Sequence, residues 1–155
     1  MMSQPLVPTL LRSHLAELAQ RDERVSGRSR WEGRELSIEV DVLDRAEGSA
    51  KVQMGDTIVY AGIKFQIQVP YPDRPDEGGI MTSAELRPVA GRHIEPGPPS
   101  PLSIELGRVV DRGIRESGCI NTKDLCIIPG EKVWQVMIDC FAISDDGKLF
   151  DAFAL

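Results

Sequence analysis

Arg108, Arg112 and Arg115 stand at i, i+4 and i+7 in a stretch with helical apolar spacing. On one stripe of a helix, such a row of guanidiniums offers bidentate contacts to phosphate oxygens. Glu105 and Asp111 fall within the same turns. The plainer alternative is therefore an exposed face laced by ion pairs, each worth only about 0.3–0.5 kcal/mol, and composition alone favours it. A second arginine group, Arg21, Arg24, Arg28, Arg30 and Arg34, is interleaved with Asp22, Glu23 and Glu32. It reads as a solvated, mutually screened loop, with an anion- or RNA-facing arm as the alternative.

Other reactive groups are sparse. The histidines are His14 and His93 and the cysteines Cys119, Cys126 and Cys140. No C-x-x-C or His/Cys cluster is present, so neither a zinc site nor a disulfide framework is expected. Cys126 and Cys140 sit in apolar runs and read as inert core thiols. Neither histidine has a serine or cysteine beside it in a pattern that would make a nucleophile. P-loop, G-x-G-x-x-G, H-E-x-x-H and G-x-S-x-G patterns are absent, and the acidic turns at 73–77 and 145–146 lack EF-hand spacing. Asp139, in an otherwise apolar run, could be a catalytic carboxylate, but a satisfied polar residue on a strand is the commoner outcome.

The elements that would carry these residues follow from periodicity. Leu10, Leu11, His14, Leu15, Leu18 and Ala19 repeat at helical spacing after Pro8-Thr9. From Glu35 the period becomes two: Leu36, Ile38, Val40 and Val42 alternate with polar residues, as in a half-buried strand. A turn at 46–49 and a hairpin turn at Gly55-Asp56 make a three-stranded antiparallel meander running on to Val69. A fourth strand is expected over 79–86. Glu95 to Pro101 holds four prolines and must be a loop. After it comes the best-defined helix. Ser100 or Ser103 caps it, Pro101 lies in its first turn, its apolar stripe is Leu102, Leu106, Val109, Val110 and Ile114, and Gly118 stops it. Residues 124–128 read as a short buried strand and 132–144 as a central strand covered on both faces.

At 155 residues, with 27% charged side chains and a net charge of −6, the chain fits one ordinary domain and is neither disordered nor fibrous. Its acidity argues against a general nucleic-acid or membrane-surface binder, so any RNA contact has to be a local patch. With no signal-peptide pattern and no apolar run of about 20 residues, the expected compartment is the cytoplasm.

Longer strings add a family resemblance. Ala46 to Lys64, AEGSAKVQMGDTIVYAGIK, is similar to the opening hairpin of RNase PH-type domains. Glu95-Pro-Gly-Pro-Pro99, Ile104 to Ser117 (IELGRVVDRGIRES) and Gly147-Lys-Leu-Phe-Asp-Ala152 resemble one branch of that superfamily, the catalytically silent RNase PH-like subunit of the archaeal exosome ring. The resemblance implies an α+β, ribosomal protein S5 domain 2-like fold, mostly antiparallel sheet packed by helices. Residues 1–34 would be an N-terminal helix and arginine-rich lead-in, and 35–155 an RNase PH-like domain of which only the first half is present.

Its functional implications are specific. The subunit would alternate with an active RNase PH-like paralogue in a hexameric ring of heterodimers, bind single-stranded RNA, and meet RNA-binding cap proteins. It would shape the partner's site for 3′-to-5′ phosphorolysis and tailing. It would need no cofactor of its own, inorganic phosphate being used by the partner. Where the active branch carries a Phe-Ser and arginine-rich phosphate-handling sequence, this chain reads Met81 to Gly91 without it, and no catalytic residue is expected. Carried over residue by residue, the resemblance makes Arg108 an RNA-phosphate contact at the heterodimer interface, with Arg112 second and Arg115 serving only the exposed face. Two alternatives stay open: a phosphorolytic exoribonuclease whose active-site half lies outside these residues, and a stand-alone RNA-binding module.

Overall fold

The computed structural model describes residues 9–155. The described residues up to Arg34 make one compact unit and Glu35–Leu155 another. In the first, α1 (Thr9–Gln20) half-buries Leu15 and Leu18 and leaves His14 exposed. The expected start signal at Pro8 lies outside the described residues. Beyond α1 the arginines fold the loop onto itself. Arg24 donates to the Arg30 carbonyl at 2.8 Å and Arg28 to the Glu32 carbonyl at 2.8 Å. Arg30 pairs with Asp22 at 3.1 Å and lies over the Trp31 ring at 4.6 Å.

The second unit is built on a sheet ordered β1-β2-β3-β6-β4, with β5 beside the start of β6. β1 (Leu36–Val40), β2 (Gly48–Met54) and β3 (Thr57–Gln68) form the antiparallel meander. Gly55, at φ 61°, takes the left-handed turn that the β2–β3 hairpin requires. β6 (Lys132–Ser144) then pairs antiparallel with β3 and parallel with β4 (Gly79–Leu86). Parallel neighbours need a crossover, and α2 (Pro101–Ser117) supplies it, followed by a 3-10 turn at Thr122–Leu125 and β5 (Cys126–Ile128). α3 (Leu149–Ala154) completes the order.

One sheet face carries the core. Val59 of β3, Ile80 and Ala84 of β4, and Val136, Ile138, Cys140 and Ala142 of β6 pack with Leu106 of α2 and with Leu149, Ala152 and Phe153 of α3. Those α3 residues recur at i, i+3 and i+4, the spacing of a single helical face. On the opposite face of β6, Asp139 accepts a hydrogen bond from Ser83 Oγ at 2.6 Å.

Several sequence expectations need correction. All five residues of β1 are exposed, with Val40 at 71%; it is the edge strand of the sheet, so its alternation marks a face without giving it cover. The short strand near 124–128 is not buried: it starts only at Cys126, and Ile127 and Ile128 are exposed. β6 is covered from Val136 to Ala142 on one face, though Trp134 at its start is exposed, while on the other Val133 and Gln135 are buried, Met137, Asp139 and Phe141 half-buried and Ile143 exposed. The buried line of α2 is Ser103, Leu106 and Gly107, with Val110 and Ile114 half-buried. Leu102 and Val109 of the expected apolar stripe are exposed, because a serine and a glycine, not the bulkier residues, sit closest to the sheet.

Gly78 and Gly113 bracket what packing tolerates. A Cβ on Gly78 would sit 2.5 Å from the Trp134 carbonyl oxygen, whereas one on Gly113 meets nothing within 4 Å. Gly78→Ala should lower unfolding stability by about 1–3 kcal/mol through overpacking. Gly113→Ala should raise it by about 0.5–1 kcal/mol, because alanine gives up less backbone freedom in a helix. Urea denaturation of the two variants beside the parent checks both signs.

Candidate nucleic-acid interface

α2 owes its position to both of its ends and to its underside. Ser100 has extended backbone (φ −72°, ψ 159°), and its Oγ accepts from the Ser103 amide at 3.2 Å. Pro101 follows at the position where no amide donor is needed. Gly118, at φ 64°, ends the helix with its amide donating to the Arg115 carbonyl at 3.3 Å. Beneath, four residues spaced by four touch β4. The Ser103 hydroxyl donates to the Ala84 carbonyl. Gly107 approaches so closely that an added Cβ would lie 3.4 Å from the Ala84 nitrogen. Asp111 accepts from Thr82 Oγ1 at 3.4 Å, and Arg115 donates to the Ile80 carbonyl at 2.5 Å. From Asp111 to Arg115 the helix rises about 6 Å, and from Thr82 to Ile80 the strand advances about 6.6 Å, so the two periods match there.

The outward face is different. Pro101, Ile104, Glu105, Arg108, Val109 and Arg112 line an open groove of about 560 Å³. Ile104 is 54% exposed. Among the described residues, neither Arg108 nor Arg112 makes an ion pair or a side-chain hydrogen bond. Arg115 behaves otherwise: its Nε donates to both carboxylate oxygens of Asp111, at 2.9 and 2.8 Å. The stripe read from spacing as three equivalent arginines is thus split. Arg115 fastens helix to sheet, while Arg108 and Arg112 present unpaired guanidiniums to solvent on an apolar shoulder. Sequence spacing offered no means of separating them, because the separation depends on β4.

The remaining candidates are placed as follows. His93 Nε2 faces Asp145 at 3.4 Å, and Asp145 also accepts from the Gly147 amide at 2.8 Å. A cleft of about 610 Å³ lies between the end of β4 and the proline-rich loop; the arginine there, Arg87, is held by Glu85. Among the described residues, no group of three or more His, Cys, Asp or Glu is placed to hold a metal ion, and no helix is long and apolar enough to cross a membrane. Cys119 is exposed, Cys126 half-buried and Cys140 buried. Burial pushes the Cys140 thiol up to about 11, and the adjacent Asp139 carboxylate adds to the rise.

Fold and surface together define the class. The family model described as "3' exoribonuclease family, domain 1", RNase PH, matches residues 32–155, and the chain belongs to that family. Among its relatives, exosome complex component Rrp42 of Methanosarcina mazei is 48% identical over 150 residues, which is 97% of this chain and 56% of the relative. The Rrp42 component of Archaeoglobus fulgidus is 47% identical over 154 residues, 99% of this chain and 60% of the relative. The chain thus spans a little over half the length of these curated relatives. Of solved structures, an Archaeoglobus fulgidus exosome with RNA bound to the active site superposes with TM-score 0.85 at 49% identity, covering 94% of this chain and 57% of that one. An archaeal exosome core superposes with TM-score 0.77 at 44% identity, covering 94% and 55%. A rice Rrp46 structure, at TM-score 0.57 and 24% identity, shares the fold.

The raised Cys140 thiol gives a pH test. The unfolded thiol titrates near 9.0 and the folded one near 11. Above about pH 9 the unfolded chain therefore gives up a proton that the folded chain keeps. Stability should fall as pH rises from about 9 to about 11, and Cys140→Ala should flatten that decline. Urea midpoints across this range check it. In the native state at pH 8, a thiol reagent should label Cys119 and leave Cys140 unmodified.

Proposed function

We propose that this chain provides the first domain of a non-catalytic exosome subunit that holds RNA for an active RNase PH-like partner. The observation that carries the reading is the unpaired Arg108–Arg112 face on a helix locked to the sheet by its opposite side. Two guanidiniums one turn apart can each take two phosphate oxygens, and an anchored helix presents them with little ordering left to do. The exposed Ile104 and Val109 beside them suit an edge where a protein partner and RNA meet. The relatives' naming as exosome components and the likeness to an RNA-bound exosome support the assignment. So does the absence of the active branch's Phe-Ser and arginine-rich sequence between Met81 and Gly91.

In this reading the subunit alternates with its paralogue in a hexameric ring in the cytoplasm, beneath RNA-binding cap proteins. At the partner's site, an oxygen of inorganic phosphate attacks the terminal phosphodiester of the RNA. The 3′ oxygen of the shortened chain leaves, and a nucleoside diphosphate is released. Several negative charges crowd that centre, so guanidiniums aimed at the adjoining phosphates assist it by fixed electrostatic neutralisation. Arg108 is the foremost contact and Arg112 the second.

The test is reconstitution with the paralogue. The chain should co-elute with it as a ring, and alone, with single-stranded RNA and phosphate, it should release no nucleoside diphosphate. Arg108→Ala should weaken RNA binding by the ring about fivefold or more, and flatten the dependence of log affinity on log salt by about 0.7, one single-strand phosphate contact. Arg112→Ala should do the same to a smaller extent. Release of nucleoside diphosphate by the chain alone would instead make it an exoribonuclease in its own right.

A further inference from the structure

Asp111 has a guanidinium within helical reach on either side, Arg108 three residues before it and Arg115 four after. It takes only the second. Both its oxygens accept from Arg115 Nε, Thr82 of β4 donates to it as well, and Arg115 reaches past it to the Ile80 carbonyl. The pair is therefore tied to the strand, with the Asp111 side chain 31% exposed. Glu105 and Glu116, the other carboxylates at helical spacing from Arg108 and Arg112, make no ion pair among the described residues.

We propose that Arg115 is a positioning residue for the RNA contact. By holding Asp111 against β4, it keeps that carboxylate from pairing with Arg108, so that Arg108 meets phosphate as an unpaired cation. The inference rests on the reading of Arg108 as an RNA contact. Its physical content is competition. A carboxylate three residues along a helix from an arginine is a natural ion-pair partner, and a phosphate arriving at Arg108 would have to displace it against like-charge repulsion. Arg115 removes the competitor by giving it a better-anchored cation. A residue that never touches RNA thereby sets the availability of one that does.

A double-mutant cycle on the ring reconstituted with the paralogue tests this, with affinity for a labelled single-stranded RNA read by anisotropy over a salt series. Arg115→Ala should weaken binding about three- to tenfold and flatten the salt slope by about 0.7, the loss of one phosphate contact. Adding Asp111→Ala to it should restore both affinity and slope, because the freed carboxylate is gone. Arg115→Lys, which still reaches Asp111, should retain most of the affinity. A merely structural role gives the opposite pattern, in which the double variant, having lost more of the helix seat, binds no better than Arg115→Ala. That result overturns the proposal, as does Arg115→Ala binding like the parent. Arg108→Ala run in parallel separates the failures. If it weakens binding while Arg115→Ala does not, the positioning role falls and the RNA reading stands. If the parent fails to bind, or Arg108→Ala changes nothing, both fall.

Discussion

β6 has hydrogen-bonded neighbours on both sides, β3 running against it and β4 running with it. Much of the second unit follows from that one arrangement. A parallel neighbour cannot be reached by a tight turn, so the chain between β4 and β6 must leave one end of the sheet and return to the other. A 17-residue helix makes the return, and its path lies over β4, where the connection is shortest. The small residues Ser103 and Gly107 let it settle against strand backbone instead of against side chains. The exposure of Arg108 and Arg112 depends on this seat, since the helix's rotation about its own axis decides which arginines point outward.

Where periodicity and local chemistry act together, the sequence is explicit. The Gly55-Asp56 hairpin, a serine cap at 100 or 103, the Gly118 stop and the extent of β6 can all be read from neighbours in the chain, because local turn and capping geometry dictates them. What cannot be read is cover. Leu36, Ile38 and Val40 alternate as cleanly as any buried strand, yet they stand exposed at the sheet edge. Periodicity reports which side of a strand is apolar and is silent on whether another element lies over it. The same gap misplaces the buried line of α2. Hydrophobicity points to Leu102 and Val109, while close backbone approach selects Ser103 and Gly107. Residues 46–64 and 104–117 carry the family in strings long enough to be specific, which is why fold and lineage were more legible than the roles of individual side chains.

Net charge is a poor guide to a surface like this one. The chain carries −6 overall, and most of its arginines in the lead-in segment are occupied within their own loop. What matters for an anion is the count of cations left over after internal pairing. On α2 that distinction is made within two turns, between Arg115, bound to Asp111 and the Ile80 carbonyl, and Arg108 and Arg112, bound to neither. A patch of two residues is invisible in a sum over the whole chain.

The four-residue rhythm on the underside of α2 also bears on how such a protein can change over generations. The seat uses positions 103, 107, 111 and 115, and the outward groove uses 104, 105, 108, 109 and 112. The first set holds the strand, and the second faces solvent. Substitutions on the outer set alter charge and shape without disturbing the register of helix on strand. One scaffold can then drift toward a different partner or polymer while its fold stays in place, and the seat positions are where such drift is constrained.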